Sequence, residues 1–253
     1  MSKDLNKIDF YDDAGHDYRD FWVGRDYEHE AELIAIKKLL KGRHFKMAMD
    51  YGGGYGRVTP TLLKYADKVL LVDPSIKQLN IAKGKLKEGN VEFVRQEQKD
   101  NVPAADGSLD LLAMIRVSHH LPDPQPVFNE IARSLKPGGL ALIEIASEAH
   151  FINRLRYLKK LKGVPKSPVP IGKYANGKED DTPFVNHNPA TIKKQLKKAG
   201  LNVTAKLSVS NLRHKALKDN LPIGAMLAFE RTAQRPLSYI NFGPSIFFLV
   251  RKD

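Results

Sequence analysis

Asp50-Tyr51-Gly52-Gly53-Gly54-Tyr55-Gly56 sets a carboxylate two residues ahead of glycines that recur at 52, 54 and 56. Glycine adopts φ > 0 at little steric cost and lets a ligand come close to the main chain, so this run predicts a nucleotide-cofactor loop. Its spacing discriminates among cofactors. The dinucleotide fingerprint G-x-G-x-x-G fails in both registers, because its third glycine is Arg57 counted from Gly52 and Thr59 counted from Gly54. A phosphate-cradling loop needs Gly-Lys-Ser/Thr, which Arg57-Val58-Thr59 does not supply. Asp50 would also repel a pyrophosphate in a partly dry cleft. The expected ligand therefore carries positive charge near the loop; the alternative is a glycine turn with no ligand.

S-adenosylmethionine carries such charge on its sulfonium and amino groups. Asp-x-Gly-x-Gly-x-Gly at the end of a first strand resembles motif I of the class I methyltransferases, which implies that Asp50, Gly52, Gly53, Gly54 and Gly56 hold this cofactor and release S-adenosylhomocysteine. Asp73 follows the apolar run Val69-Leu70-Leu71-Val72, where an acid can accept from both hydroxyls of a ribose, with Pro74 beside it. Asp73 could instead cap the helix expected after Pro74. In the resembling family an acid in the loop after the third strand meets the adenine amino group. By spacing from Asp106-Gly107-Ser108-Leu109-Asp110 that position is Gln98 here, an amide that can still accept a hydrogen bond, with the Lys99 backbone N–H beside it; a solvated loop is the alternative.

The fourth strand, Asp110 to Ile115, runs into Arg116-Val117-Ser118-His119-His120, similar to the corresponding segment of many small-molecule methyltransferases. Arg116 and Val117 are placed in the cofactor set. A guanidinium beside a sulfonium needs an intervening anion, so Arg116 is expected to clamp a carboxylate of cofactor, substrate or an N-terminal Asp, or else to serve a structural ion pair. His120 is a candidate for the acceptor side and, with His119, for a general base, although such histidines more often pack or cap and no catalytic residue is assigned. The chemistry implied is in-line displacement at a methyl carbon, governed by alignment and exclusion of water, on an O or N nucleophile. No Asn/Asp-Pro-Pro-aromatic tetrapeptide follows the strand and the chain has no cysteine, which argues against adenine-N6 and cytosine-C5 DNA methylation.

The elements that must position these residues alternate as a doubly wound α/β sheet requires. Phe45 to Met49, Val69 to Val72, Val91 to Val94, Asp110 to Ile115 and Leu140 to Ile145 read as strands, and Lys136-Pro137-Gly138-Gly139 as a type II turn before the fifth. Asn188-Pro189 starts a helix closed by Gly200, and 201–207 and 245–250 are the sixth and seventh strands. The family implies a three-layer, seven-stranded, mostly parallel Rossmann-like sheet with an antiparallel last strand. One domain over 1–253 is expected, with an N-terminal helical cap at 1–44, a cofactor core at 45–149, a basic insertion at 150–187 and a sheet-completing segment at 188–253.

At 42% hydrophobic and 28% charged residues the composition is that of an ordinary globular enzyme. The polar N-terminus, the missing cysteines and the lack of an apolar run of about 18 residues lead to the expectation of a soluble, cytoplasmic protein with no metal ligand set. Two segments should carry specificity. Phe10 to Glu32 holds Tyr11, His16, Tyr18, Phe21, Trp22 and Tyr27 among Asp12, Asp13, Asp17 and Asp20, and Tyr11, Tyr18 and Trp22 are expected to face the acceptor as a lid over the cofactor, unless the segment only packs on the sheet edge. His150 to Lys218 holds sixteen Lys/Arg against Glu179, Asp180 and Asp181, and Ile152, Leu155, Leu158 and Leu161 recur within it as on a basic amphipathic helix, followed by a loop from Lys166 to Asp181. The expected acceptor is a small molecule. RNA or another polyanion, peripheral contact with a membrane surface, and a non-catalytic cofactor-binding or nucleic-acid-interacting protein stay open; oligomeric state is not legible.

Overall fold

A computed structural model describes residues 10–12, 18–86, 89–171 and 184–253. Asp13, His16, Asp17 and the acids Glu179, Asp180 and Asp181 lie outside them. The sheet is built from β1 (Phe45–Tyr51), β2 (Ala66–Asp73), β3 (Val91–Arg95), β4 (Leu109–Met114), β5 (Leu135–Ala146), β8 (Leu201–Val209) and β9 (Ser245–Lys252), in the order β3-β2-β1-β4-β5-β9-β8. The first five pair in parallel; β9 is antiparallel to both β5 and β8. The carboxyl ends of β1 to β5 and of β8 therefore share one edge, which is where an open α/β sheet presents its binding crevice.

Continuous apolar runs make this possible. In β4, Leu109, Leu111, Leu112, Ala113 and Met114 are all inaccessible, as a strand covered on both faces must be. Met49, Leu112, Ile143 and Phe248 meet Phe128 and Ile131 of α4 (Gln125–Ser134) and Ile192 and Leu196 of α6 (Pro189–Lys198) on one face. Ala48, Leu111, Leu142 and Phe247 meet Ala35, Ile36 and Leu40 of α1 (Asp26–Leu40) on the other. Burying each large side chain contributes about 1.5–3 kcal/mol. Gly138 takes φ 74° in the turn at the start of β5, and a Cβ on Gly139 would stand 2.9 Å from the Lys136 carbonyl oxygen, which explains both glycines.

Four expectations change. The helix after the glycine loop is a single turn, α2 (Thr59–Leu62), rather than one opening at Arg57, and Pro60 stands in its first turn. The N-cap of α3 (Ile76–Lys85) is Ser75, whose Oγ accepts from the Gln78 N–H at 3.1 Å, so Asp73 is free of that duty. The stretch after Lys166 is not a plain loop: β6 (Val169–Ile171) and β7 (Phe184–Asn186) pair as an antiparallel hairpin, bridged to the main sheet through Ser147 and His187. Two helices, α7 (Lys215–Asn220) and α8 (Ile223–Ser238), lie between β8 and β9, where the sequence reading placed no element. α8 docks on α1 through a buried polar knot in which the Tyr27 hydroxyl donates to Glu230 Oε1 at 2.5 Å, Gln234 Nε2 donates to Glu230 Oε2 at 3.0 Å, and the Asn211 N–H donates to Glu230 Oε1 at 2.6 Å. Among the described residues no helix is long and apolar enough to cross a membrane.

Candidate functional site

The glycine loop is tied down by the strand next to it. The Gly52 and Gly53 N–H groups both donate to the Val72 carbonyl, at 2.8 and 3.0 Å, which turns the chain sharply off β1. Gly52 (φ 69°), Gly54 (φ 55°) and Gly56 (φ 79°) occupy the left-handed region that glycine tolerates best. Close approach adds to the requirement: a Cβ on Gly52 would stand 2.3 Å from Val117 Cγ2, and one on Gly56 2.7 Å from Leu86 Cδ1. Val117, predicted to touch the cofactor, is thus also the residue that packs on Gly52.

Asp50 and Asp73 come together around this loop, each buried. Asp50 accepts from Thr59 Oγ1 at 2.7 Å, and burial raises its pKa to about 6. Asp73 accepts from the Gly54 N–H at 2.8 Å and from the Ser75 N–H at 2.9 Å, yet burial, with the nearby charges of Asp50 and Asp12, lifts it to about 7. Thr59 gives Asp50 one hydroxyl donor, but neither carboxylate has an ion-pair partner among the described residues. Pro74 offers its carbonyl to Arg95 Nε at 3.4 Å. At the tip of β3 the side chains of Gln98 and Lys99 are exposed. The organiser there is Gln96, which the sequence reading passed over: buried, its Nε2 donates to Tyr51 Oη at 2.8 Å and to the carbonyls of Gln98 and Asn101 at 3.1 and 3.2 Å. Asp100 has φ 62° and a buried Oδ1 that has no hydrogen-bond partner among the described residues. The glycine cradle, the under-compensated acids and this orphaned oxygen fit a ligand that is cationic at one end and rich in donors at the other.

The described N-terminal residues lie across this loop from the tip of β2 to that of β4. Asp12 accepts at the start of α3 from the Ile76 and Lys77 N–H groups, at 3.2 and 3.0 Å, and from the Ser75 hydroxyl. Tyr18 lies over Gly54, where a Cβ would stand 3.4 Å from its ring. Tyr11 Oη is 3.4 Å from His120 Nε2. His119 and His120 lie with ring centroids 4.3 Å apart, and Phe184 of the unexpected hairpin is 5.0 Å from each. Burial lowers both histidines, His120 to about 4 and His119 well below its ordinary value, so both are neutral near neutrality. His187, also from the hairpin, hydrogen-bonds the Ser118 carbonyl through Nε2 at 2.9 Å. Phe184 and His187 carried no sequence signal beyond their place before Asn188-Pro189.

Arg116 makes the structural ion pair that stood as the alternative to a clamp on cofactor, substrate or an N-terminal Asp. Its Nε donates to Glu32 Oε1 of α1 at 2.7 Å, while Arg57 Nη2 takes Glu32 Oε2 at 2.7 Å, so one fully buried carboxylate is forked between two guanidiniums. Trp22, expected at the acceptor, covers this pair, its ring centroid 3.6 Å from Arg57 Cζ and 5.7 Å from Arg116 Cζ. Burial opposes ionisation of Glu32, but the arginines outweigh it and hold the carboxyl below its ordinary value. Arg116 also sits at φ 63°, with its N–H donated to Glu144 Oε2 at 3.0 Å. The clamp is thus internal, and it fastens α1 to the tip of β4.

Residues 49–143 match a family model described as a methyltransferase domain. Among curated proteins, an uncharacterised methyltransferase of a Mycobacterium species is 30% identical over 39% of this chain and 38% of its own length. The ubiquinone biosynthesis O-methyltransferase of Pseudoalteromonas translucida is 24% identical over 79% of this chain and 84% of its own. The chain thus matches about two-fifths of the length of the mycobacterial relative. A solved structure from Mesorhizobium loti, described as an S-adenosylmethionine-dependent methyltransferase, superposes with a TM-score of 0.58 at 18% identity, covering 88% of this chain and 98% of its own. Sequence match and fold together place residues 49–143 in the methyltransferase domain family, on the fold of the S-adenosylmethionine-dependent methyltransferases.

Proposed function

We propose that this chain is an S-adenosylmethionine-dependent methyltransferase acting on an oxygen or nitrogen nucleophile of a small acceptor. The observation that carries the reading is the pairing of a buried, under-compensated acid with a glycine cradle: Asp73 is joined to the Gly54 N–H at 2.8 Å, with Asp50 buried beneath the same loop. An anionic pyrophosphate would be repelled there; a ribose diol and a cationic amino acid end would be held. When bound, the cofactor supplies an electrophilic methyl group. Asp73 would accept from the ribose hydroxyls, the Gly52 to Gly56 backbone and Asp50 would orient the amino acid end, and Asp100 Oδ1 would accept from the adenine amino group. Tyr11, Tyr18, His120 and Phe184 wall the acceptor side and exclude water, and transfer rests on alignment, because His120, lowered to about 4, is too weak a base to hold a nucleophile's proton near neutrality. The O-methyltransferase relative favours an oxygen acceptor.

Calorimetry with S-adenosylmethionine, S-adenosylhomocysteine and NAD tests this. Binding of the first two and not the third is expected; tight NAD binding alone would overturn the reading. A metabolite extract incubated with methyl-labelled donor then identifies the acceptor.

A further inference from the structure

The helix that follows β5, α5 (Phe151–Lys159), is built inside out. Its inward face is polar: Asn153 is buried, and the Tyr157 hydroxyl donates to Glu148 Oε1 at 2.7 Å while Asn186 Nδ2 holds the other oxygen at 2.9 Å. The apolar side chains face water instead. Phe151 and Ile152 are each 40% exposed, Leu155 43%, Leu158 68%, and Leu161, just past the helix, 93%. Phe151 stacks on Phe242 with ring centroids 5.1 Å apart, which brings in the turn after α8, where Tyr239 and Ile240 are 81% and 46% exposed. Single exposed leucines are ordinary, but a row of them on one helix with an apolar turn beside it marks a contact surface.

The charge around this row selects the partner. From Ala149 to Ile171 the chain has Arg154, Arg156, Lys159, Lys160, Lys162 and Lys166 and no acid. A second copy of the chain would set these cations against their own counterparts across a two-fold axis, which disfavours self-association. RNA would answer the charge but leave the leucines in water, since aliphatic side chains offer no stacking platform for bases. An anionic bilayer answers both: apolar side chains enter the acyl boundary while the flanking cations meet the headgroups.

We propose that α5 and the turn after α8 dock in the plane of a bilayer surface that contains anionic lipid. α5 begins at the same sheet edge as the glycine loop, so a docked bilayer lies beside the acceptor wall. The acceptor is then an amphiphile whose polar end reaches His120 and Phe184; this extension rests on the methyltransferase reading, while the docking does not.

Flotation with phosphatidylcholine vesicles, with and without phosphatidylglycerol, tests the docking on the full chain. Binding only to phosphatidylglycerol vesicles, weakened by salt, is expected. Joint replacement Lys159→Gln and Lys160→Gln lowers the partition about five-fold per cation, and Leu158→Glu with Leu161→Glu lowers it by about tenfold or more. Both pairs are exposed, so thermal unfolding and S-adenosylmethionine affinity stay as in the unmodified chain. Failure to float at low salt, equal flotation on uncharged vesicles, or undiminished flotation of the leucine variant would overturn the proposal. So would a leucine variant that only turns a dimer into a monomer by light scattering, or salt-sensitive RNA binding without flotation. Vesicle binding without S-adenosylmethionine binding would sink the methyltransferase reading and leave docking standing; the reverse would sink docking alone.

Discussion

Acid is expected to loosen the grip on the cofactor, and the size of the effect follows from two side chains. Asp73, raised to about 7, and Asp50, raised to about 6, are partly protonated near neutrality. A ligand that brings hydroxyl donors and positive charge stabilises their anions and draws both towards the ordinary carboxylate value. Binding then expels protons, so affinity must rise with pH. If Asp73 returns fully to its ordinary value on binding, S-adenosylmethionine affinity falls about 70-fold between about pH 7.5 and about pH 5. Asp50 treated in the same way adds about tenfold. The free protein behaves in the opposite sense. A carboxyl whose folded pKa lies above its unfolded one stabilises the fold at low pH and loses that contribution as pH rises through the folded value, so ligand-free stability should decline between about pH 4 and about pH 7 from these groups while the melting shift produced by S-adenosylmethionine grows. Titration calorimetry in two buffers of different ionisation enthalpy gives the proton count directly, with release of about half a proton from Asp73 near pH 7. Asp73→Asn should bind more weakly at neutral pH and keep only the shallower dependence due to Asp50. A flat affinity profile with the fold intact, or proton uptake on binding, would refute the reasoning.

Arg116→Met leaves Glu32 with Arg57 alone in a buried setting and should cost about 3–5 kcal/mol in denaturant unfolding, much of it restored by adding Glu32→Gln; a single variant as stable as the unmodified chain would reject the internal clamp. Gly52→Ala drives a methyl into Val117 at a left-handed backbone position, so S-adenosylmethionine affinity should drop at least about tenfold, and Val117→Ala in the same chain should recover part of it; no recovery would mean that φ alone demands the glycine. Tyr27→Phe removes the donor to Glu230 and the acceptor of the Leu212 N–H, for an expected loss of about 1–3 kcal/mol in thermal or urea unfolding. An unchanged midpoint would deny the knot between α1 and α8 any role in stability.

The strands and turn around the glycine loop were legible because their signals are local. Asp50, the glycines and Asp73 sit at strand ends marked by apolar runs, and a φ > 0 requirement is written directly as glycine. What escaped depended on distance in sequence. Nothing near Arg116 names Glu32, 84 residues away, as its partner. Gln96 opens a run of six polar residues, 96–101, and only the fold shows that it is buried against Tyr51 and gathers two carbonyls. α8 was missed although its length is ample, because Glu230 and Gln234 break the apolar pattern on the face that it buries. In α5, read from its leucines as a basic amphipathic helix, the leucines stand exposed and the buried strip is polar.

The position of β9 governs the order in which the fold can assemble. It is the last strand of the sheet in chain order, yet it lies between β5 and β8 and, among the described residues, is the only strand beside β8. Until β9 is available, β5 presents one bare edge and β8 has no strand partner among the described residues, so α7 and α8, which lead from β8 into β9, cannot be fixed by early folding of the first five strands. During synthesis the glycine loop and its acids can form well before the far half of the sheet. The final zipping of β9 then joins two separately formed parts in one late, non-local step, which makes the β5 edge the place where an unfinished chain is most exposed to wrong pairing.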